Sequence, residues 1–287
     1  MKFARGYRPD PPGHTRTPLR HLAARLGAPA LPDFTERSPR ALQLSPVRDQ
    51  SSTSECTGAG TSLAVTVGAA EAGTPLGWDA SDAAAYTNGR AIDRTPNPDG
   101  SLPPLVDGGA MPNQVWRGYA EFGARKMRPL PDRYSEADPA TINNEPTILD
   151  LEEESATLLV GEYGITSRGD QRIADLRTGL VLRPVTVAIQ ADRDGVQNYD
   201  GRALTASDLG FDTDHYVALV DYCIIQGRIF WLVRQSWGTR ATSGWGVDRF
   251  TVDGIPPSWP AAGHMLLAQG AEQTFTDLVV ADVRRVS

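Results

Sequence analysis

Four side chains in this 287-residue sequence have the types needed for thiol chemistry on an acyl group: Cys56, His215, Gln235 and Gln50. A cysteine attacks a carbonyl as its thiolate, so it needs a base to take the proton and a third group to orient that base. His215 and the amide of Gln235 supply that pair, and a second amide near the sulfur, Gln50, is suited to holding an oxyanion. Gln50 lies six residues ahead of Cys56, and Cys56 opens a run of small and apolar residues, Thr57 to Ala72. That run is apolar nearly all round, which reads as a buried helix. A cysteine at a helix head feels the partial positive charge of the peptide dipoles, which favours the thiolate. A free cysteine in the same place also packs well as a small hydrophobe.

The elements that must position these residues change character along the chain. Residues 1–45 are rich in Pro and Arg and read as an N-terminal arm on the surface, with one short helix from about Pro18 to Leu26. After the Cys56 helix, further helices are expected at Ser81–Arg90 and at Met111–Phe122, where Pro112 suits a first turn. Arg128 to Glu145 is polar and Pro-rich and reads as a linker, and Asp150–Glu154 as a solvated acidic face. The second half holds one helix near Ile173–Leu180. Its strand-like runs are Val185–Ile189, Tyr216–Val220, Ile229–Val233 and Val247–Val252. Helices followed by an antiparallel sheet make an α+β fold. The division is an arm over 1–45, a helical lobe over 46–145 carrying the nucleophile, and a β-rich lobe over 146–287 carrying the histidine.

Composition narrows the function classes. The formal net charge is −7, with 28 Lys and Arg against 35 Asp and Glu, unlike the basic footprint of a nucleic-acid binder. No run approaches the roughly 18 apolar residues of a membrane span. The start lacks the apolar stretch of a signal peptide, so a cytoplasmic chain is expected. The two cysteines, Cys56 and Cys223, make no disulfide framework, although a pairing between them is open. Cys223 reads as a packed core thiol. Neither His-x3-His nor Cys-x2-Cys occurs, so no metal or other cofactor is expected. His14, His21 and His264 read as surface or structural residues. The acidic cluster of Asp192, Asp194, Asp200, Asp208 and Asp212 lacks the spacing of a calcium loop.

Three blocks resemble the papain-like C1 cysteine peptidases. Ser45-Pro-Val-Arg-Asp-Gln-Ser-Ser-Thr-Ser-Glu-Cys-Thr-Gly is similar to the family's nucleophile block, "PV-x-D-Q-G…G-S-C". Asp214-His-Tyr-Val-Ala-Leu-Val-Asp-Tyr is similar to its histidine block, and Trp231-Leu-Val-Arg-Gln-Ser-Trp-Gly-Thr to its "R-N-S-W-G-T" block. Gly6-Tyr-Arg-Pro-Asp-Pro-Pro and Leu31-Pro-Asp-Phe-Thr-Glu-Arg resemble the opening segments of the bacterial and archaeal branch. The resemblance implies a two-lobed fold with a peptide-binding cleft between the lobes. It also implies roles: Cys56 as nucleophile, His215 as proton carrier, Gln235 in the orienting position where the family has Asn, and Gln50 with the Cys56 N–H at the oxyanion. Trp237 would cover the amide partner of His215 and line the substrate cleft. The arm would either pack on the surface or lie across the cleft as a self-inhibitory segment.

The sequence departs from the family pattern at Gln235 for Asn, Glu55 for a small Ser before the nucleophile, Thr57 for the Trp after it, Ser51-Ser52 for the glycine turn, and Asp221 for the Gly before Tyr222. A second "W-G" is displaced to Gly244-Trp245. The expected function is peptide-bond hydrolysis on a peptide or protein substrate. The alternatives are a catalytically inactive papain-like module that binds peptide or serves a larger assembly, and a related thiol chemistry on cell-wall peptides.

Overall fold

Strands that carry unbroken apolar runs must be covered on both faces, and the central sheet is built that way. The computed structural model describes residues 6–92, 94–130, 134, 155–239 and 247–286. Within them lie strands β1 (Thr17–Pro18), β2 (Ala124–Arg125), β3 (Ser155–Ala156), β4 (Leu158–Gly164) and β5 (Val185–Ile189). They continue with β6 (His215–Ile225), β7 (Arg228–Arg234), β8 (His264–Ala268) and β9 (Thr276–Arg285). The longer helices are α1 (Leu19–Leu26), α2 (Arg37–Leu44), α3 (Cys56–Glu71), α4 (Asp82–Ala91), α5 (Pro112–Phe122) and α6 (Gly169–Leu182). Seven strands form one sheet in the order β1-β4-β9-β5-β6-β7-β8, antiparallel except for the β1–β4 pair, and β2 pairs with β3 apart from it.

The period-2 alternation of β6 divides its side chains between two cores. Val217 and Leu219 join Leu176 and Leu180 of α6 and Leu22 of α1 on one face. Ala218 and Val220 join Leu63 and Val67 of α3 and Ala41 of α2 on the other. Further along α3, Ala64, Val65 and Ala69 pack with Tyr86 of α4, Trp116 of α5 and Val279, Ala281 and Val283 of β9. The helix is therefore buried along Cys56–Ala69, and its hydroxyls turn back onto its own carbonyls, as from Thr61 to Thr57 at 2.7 Å and Thr66 to Ser62 at 2.9 Å. Gly58 allows α4 this close, because a Cβ there would stand 2.4 Å from the Asp82 carbonyl oxygen.

The arm is not a surface strap. It supplies β1 to the sheet edge, places Leu22 in the core at 0% exposure, and adds α2, which was not expected from its sequence. Asp221 explains how α2 is held. It sits at a bulge in β6, is fully buried, and accepts from the N–H groups of Arg37 (2.8 Å) and Ser38 (2.7 Å) at the start of that helix. A carboxylate on the first N–H groups of a helix is well placed against the dipole. Asp221→Ala is therefore expected to lower stability by about 2–4 kcal/mol, read as a shift in urea midpoint. A loss below about 1 kcal/mol, the size of an ordinary surface substitution, would refute this role.

Val247–Val252 is not a strand. The outer edge of β7 is taken by β8, so this segment has no ladder to join, and Phe250 and Val252 pack only partly onto the core. Three of the longer strands escaped the sequence reading, β4, β8 and β9, as did the two-residue strands β1, β2 and β3. In β9 the charges that break the pattern are neutralised locally, with Asp282 bonded to Arg183 at 2.9 Å and to Arg25. Cys223 is a buried free thiol, as is Cys56, so the two form no disulfide. The 145/146 boundary, most of the Arg128–Glu145 linker, the Asp150–Glu154 run and Gly244-Trp245 lie outside the described residues.

Candidate active site

Cys56 is the first residue of α3, His215 the first of β6, and Gln235 follows the last residue of β7. Pairing of β6 with β7 brings the histidine and the amide to one end of the sheet, and their hydrogen bond is made: His215 Nε2 to Gln235 Oε1, 2.9 Å. Trp237 stacks over the imidazole with ring centroids 4.4 Å apart and an interplanar angle of 24°. The extra methylene of Gln is thus accommodated, and the bond lies under an indole that keeps water away. Trp237 is 1% exposed, so here it covers His215 and offers no open surface to a substrate.

Gln50 is also buried in place. Its Nε2 donates to the Thr53 carbonyl at 2.7 Å, its Oε1 accepts from the Ser236 hydroxyl, and its backbone N–H donates to the Ser236 carbonyl at 2.8 Å. Ser236 therefore joins Gln50 to the neighbour of Gln235. Between Gln50 and Cys56 the chain turns at Ser51, which takes φ 53° where the resembled family has glycine. A side chain in that left-handed region costs about 1–2 kcal/mol. Ser51→Gly is expected to be tolerated and to raise stability by up to about 1 kcal/mol after the extra backbone entropy of glycine, measured by denaturant unfolding. A clear loss would mean the Ser51 side chain has a role of its own.

Glu55, the buried residue before the nucleophile, makes no cap on α3 from its side chain. It is an electrostatic partner of Arg90, which lies over the Tyr86 ring at 4.0 Å. Its charge is thereby answered on the helical side. Asp107 braces the same turn, accepting from the Ser54 N–H at 3.1 Å and from the Tyr86 hydroxyl at 2.7 Å.

Burial opposes ionisation of the thiol. Cys56 is 0% exposed, and burial pushes it up to about 11, against the pull of N–H groups from Tyr216 and Gly6. The cover is the arm. The Gly6 N–H points at the Cys56 Sγ at 3.3 Å, the Ala110 N–H donates to the Gly6 carbonyl at 2.8 Å, and the Arg8 N–H donates to the Ala110 carbonyl at 3.1 Å. Tyr7 stacks on Tyr216 with an interplanar angle of 2°, and its hydroxyl bonds Asp277. Gly6 is required by the fit, since a Cβ there would fall 1.6 Å from the Ser54 carbonyl oxygen. Sequence reasoning missed this contact. Gly6 stood in a quoted block, but nothing in its type announces a partner fifty residues away. His264 is buried in β8 and pushed down to about 3 by desolvation, beside Arg234, and takes no part in the arrangement. Among the described residues no group of three or more His, Cys, Asp or Glu side chains is arranged to hold a metal ion.

Part of the sequence and the whole fold are similar to known proteins. Residues 136–251 match the model of the papain family cysteine protease. Cysteine proteinase COT44 of Brassica napus is 37% identical over 75 residues, 26% of this chain and 21% of that protein. Probable cysteine protease RDL2 of Arabidopsis thaliana is 29% identical over 89 residues, 31% of this chain and 24% of that protein. The matched stretches thus span about a fifth to a quarter of those relatives' length. Among solved structures, xylellain, a cysteine protease from Xylella fastidiosa, superposes with a TM-score of 0.62 at 18% identity, over 99% of this chain and 97% of that one. Digestive procathepsin L 3 of the Tenebrio molitor larval midgut gives 0.62 at 18% identity, over 99% and 76%. With Cys56 at the head of a buried helix and the His215–Gln235 pair at one end of the facing sheet, the chain has the two-lobed α+β papain fold, and residues 136–251 carry the sequence likeness to the papain family cysteine proteases.

Proposed function

We propose that the chain is a cysteine-type peptidase held in a covered state. The observation that carries this reading is the His215 Nε2–Gln235 Oε1 bond of 2.9 Å under Trp237, on the strand against which the Cys56 helix packs. A core needs none of these polar groups, and burying them without chemistry would only cost stability. With the arm displaced, the Cys56 thiol gives its proton to Nδ1 of His215 and attacks the scissile carbonyl. The oxyanion is held by the Cys56 N–H and the Gln50 amide. The imidazolium, steadied through Nε2 by Gln235, returns the proton to the leaving amine, and water then cleaves the thioester with His215 as base. The substrate is an extended peptide or unfolded protein.

The direct test is cleavage of an unfolded protein by the whole chain, with Cys56→Ala as control. Undiminished cleavage by the variant would overturn the assignment. A second reading, an inactive papain-like module that binds peptide within a larger assembly, is favoured by the buried thiol pushed up to about 11. Absence of turnover from a chain whose Cys56 has been uncovered would decide for it. We also infer kinship with the bacterial-type branch. Its support is the fit to the Xylella fastidiosa enzyme over nearly the full length of both chains, alongside the opening segments at Gly6 and Leu31, although the curated relatives matched are plant proteins.

A further inference from the structure

Next to the glycine that touches the sulfur, Tyr7 fills a slot of its own. It packs with Cys56, Ala188 and Tyr216 as one cluster and is 8% exposed. Its ring lies parallel to that of Tyr216, the residue after His215, with centroids 6.0 Å apart. Tyr216 is fully buried, and its hydroxyl is bonded to Thr186 Oγ1 at 2.8 Å. At the far end of the slot the Tyr7 hydroxyl donates to a carboxylate oxygen of Asp277 and lies 3.5 Å from Thr276 Oγ1. The strand bulges where that carboxylate sits. Thr186 of β5 pairs with Val279 and Ala188 with Thr276, so β9 carries one extra residue across the same span. Asp277 lies in this bulge with φ 43°, a left-handed conformation that residues other than glycine seldom adopt. Backbone strain of this kind collects at sites that hold a ligand.

The main chain on either side of Tyr7 makes bonds open to any extended peptide. The Ala110 N–H donates to the Gly6 carbonyl and the Ala110 carbonyl accepts from the Arg8 N–H, so the pair brackets Tyr7. Pairing of this kind leaves the choice of sequence to the side-chain slot. We propose that the slot selects a tyrosine side chain in the peptide that takes the arm's place, with Tyr216 as its platform and Asp277 accepting from its hydroxyl. This deepens the peptidase reading and rests on it. Asp277 has other neighbours and still takes the phenol. The Asp10 N–H donates to it at 3.3 Å, and Arg16 Nη1, shared with Asp10 and Glu162, stands 3.7 Å away. A cation is the competing ligand for a carboxylate, but this one already has Arg16 beside it, and a flat ring with a hydroxyl at its end is what the slot holds. Phenylalanine would stack equally well and leave the carboxylate without its phenol. A site built around a hydroxyl rejects the analogue that lacks one.

The test uses the whole chain carrying Gly6→Ala and Tyr7→Ala, which lifts the arm and opens the slot. Synthetic peptides that differ only by Tyr, Phe, Arg or Leu at one position, moved along the peptide, compete with iodoacetamide for Cys56. Mass spectrometry separates its labelling from that of Cys223. At one position the tyrosine peptide is expected to protect Cys56 at about 10-fold lower concentration than the phenylalanine peptide. Asp277→Gly, which removes the carboxylate and suits the left-handed backbone, should bring the two within about 2-fold. Both peptides are read on one preparation, so a partly misfolded variant weakens both and leaves their ratio. The inference is overturned by a tyrosine peptide that protects nowhere, by equal protection from Tyr and Phe at every position, by stronger protection from Arg, or by a preference that survives Asp277→Gly. Protection needs no turnover, so the two readings fail separately. Peptides that protect and are never cleaved refute the peptidase, and peptides cleaved without a tyrosine preference refute only the slot.

Discussion

Gly6→Ala should raise the rate of Cys56 alkylation at neutral pH by about 100-fold. The substitution adds one methyl group where none fits, since its carbon would stand 1.6 Å from the Ser54 carbonyl oxygen. The arm must therefore lift from the turn before the nucleophile, and two things follow. The sulfur becomes accessible, and the burial that pushes the thiol up to about 11 is relieved. Only the thiolate reacts, and a fall from about 11 toward an ordinary thiol near 8.5 multiplies the thiolate fraction at neutral pH by about 10²–10³. Part of that gain is offset by the lower nucleophilicity of a less basic sulfur. The measurement is the labelling rate against pH. In the parent chain it should still be rising at pH 9 to 10, whereas in Gly6→Ala the midpoint should move down by two units or more. Cys223, buried in the core and pushed up to about 12, serves as the internal standard and should not change. An unaltered Cys56 profile would mean that the arm does not set the state of the thiol.

Gln235→Ala should cost about 10²–10⁴ in kcat/KM for peptide cleavage by the uncovered chain. The buried His215 ring has its Nε2 bonded to this amide at 2.9 Å, and Trp237 shields the bond. Removing the acceptor leaves the ring free to take the wrong tautomer or rotate, the kind of loss seen when the orienting member of a triad is replaced. Gln235→Asn is the sharper case. It restores the residue of the resembled family but withdraws the amide oxygen by one methylene from a bond that is already formed. We expect it to be slower than the parent by about 10-fold, with the loss in kcat and little change in KM. If Asn instead raised the rate, the His215–Gln235 distance would not be the one that supports turnover.

Much of this site was legible because its chemistry sits in short contiguous blocks. Cys56 and His215 each open an element and Gln235 directly follows one, so finding the block also placed the residue at or beside an element's end. The helices with clear caps or prolines, such as α4 with Ser81 and α5 with Pro112, were placed within a residue. What escaped depends on partners far along the chain. Asp221 looked like a defect in a glycine position and is the cap of a helix in the arm. β9 was not read as a strand, and Arg183 and Arg25, which answer its Asp282, come from far along the chain. The helix position favours the thiolate and a packed thiol was the other reading, and burial under Gly6 pushes the group up, a cover that no local pattern records.

The way the arm is fastened decides what a protease could achieve by cutting it. Its root is woven into the molecule through β1, Leu22 and the Asp221-capped α2, while its tip at Gly6–Arg8 lies on the thiol. Between them Pro11–Thr15 is exposed. A nick there would leave the root in place and convert the tip from a covalently tethered cover into a separate short peptide. It would lose the effective concentration, of millimolar order, that the tether provides. Its occupancy would then follow mass action: full in a concentrated solution, falling away on dilution. The intact and nicked forms would share one fold and one mass on gel filtration at high concentration, and would differ in how steeply their thiol reactivity responds to being diluted.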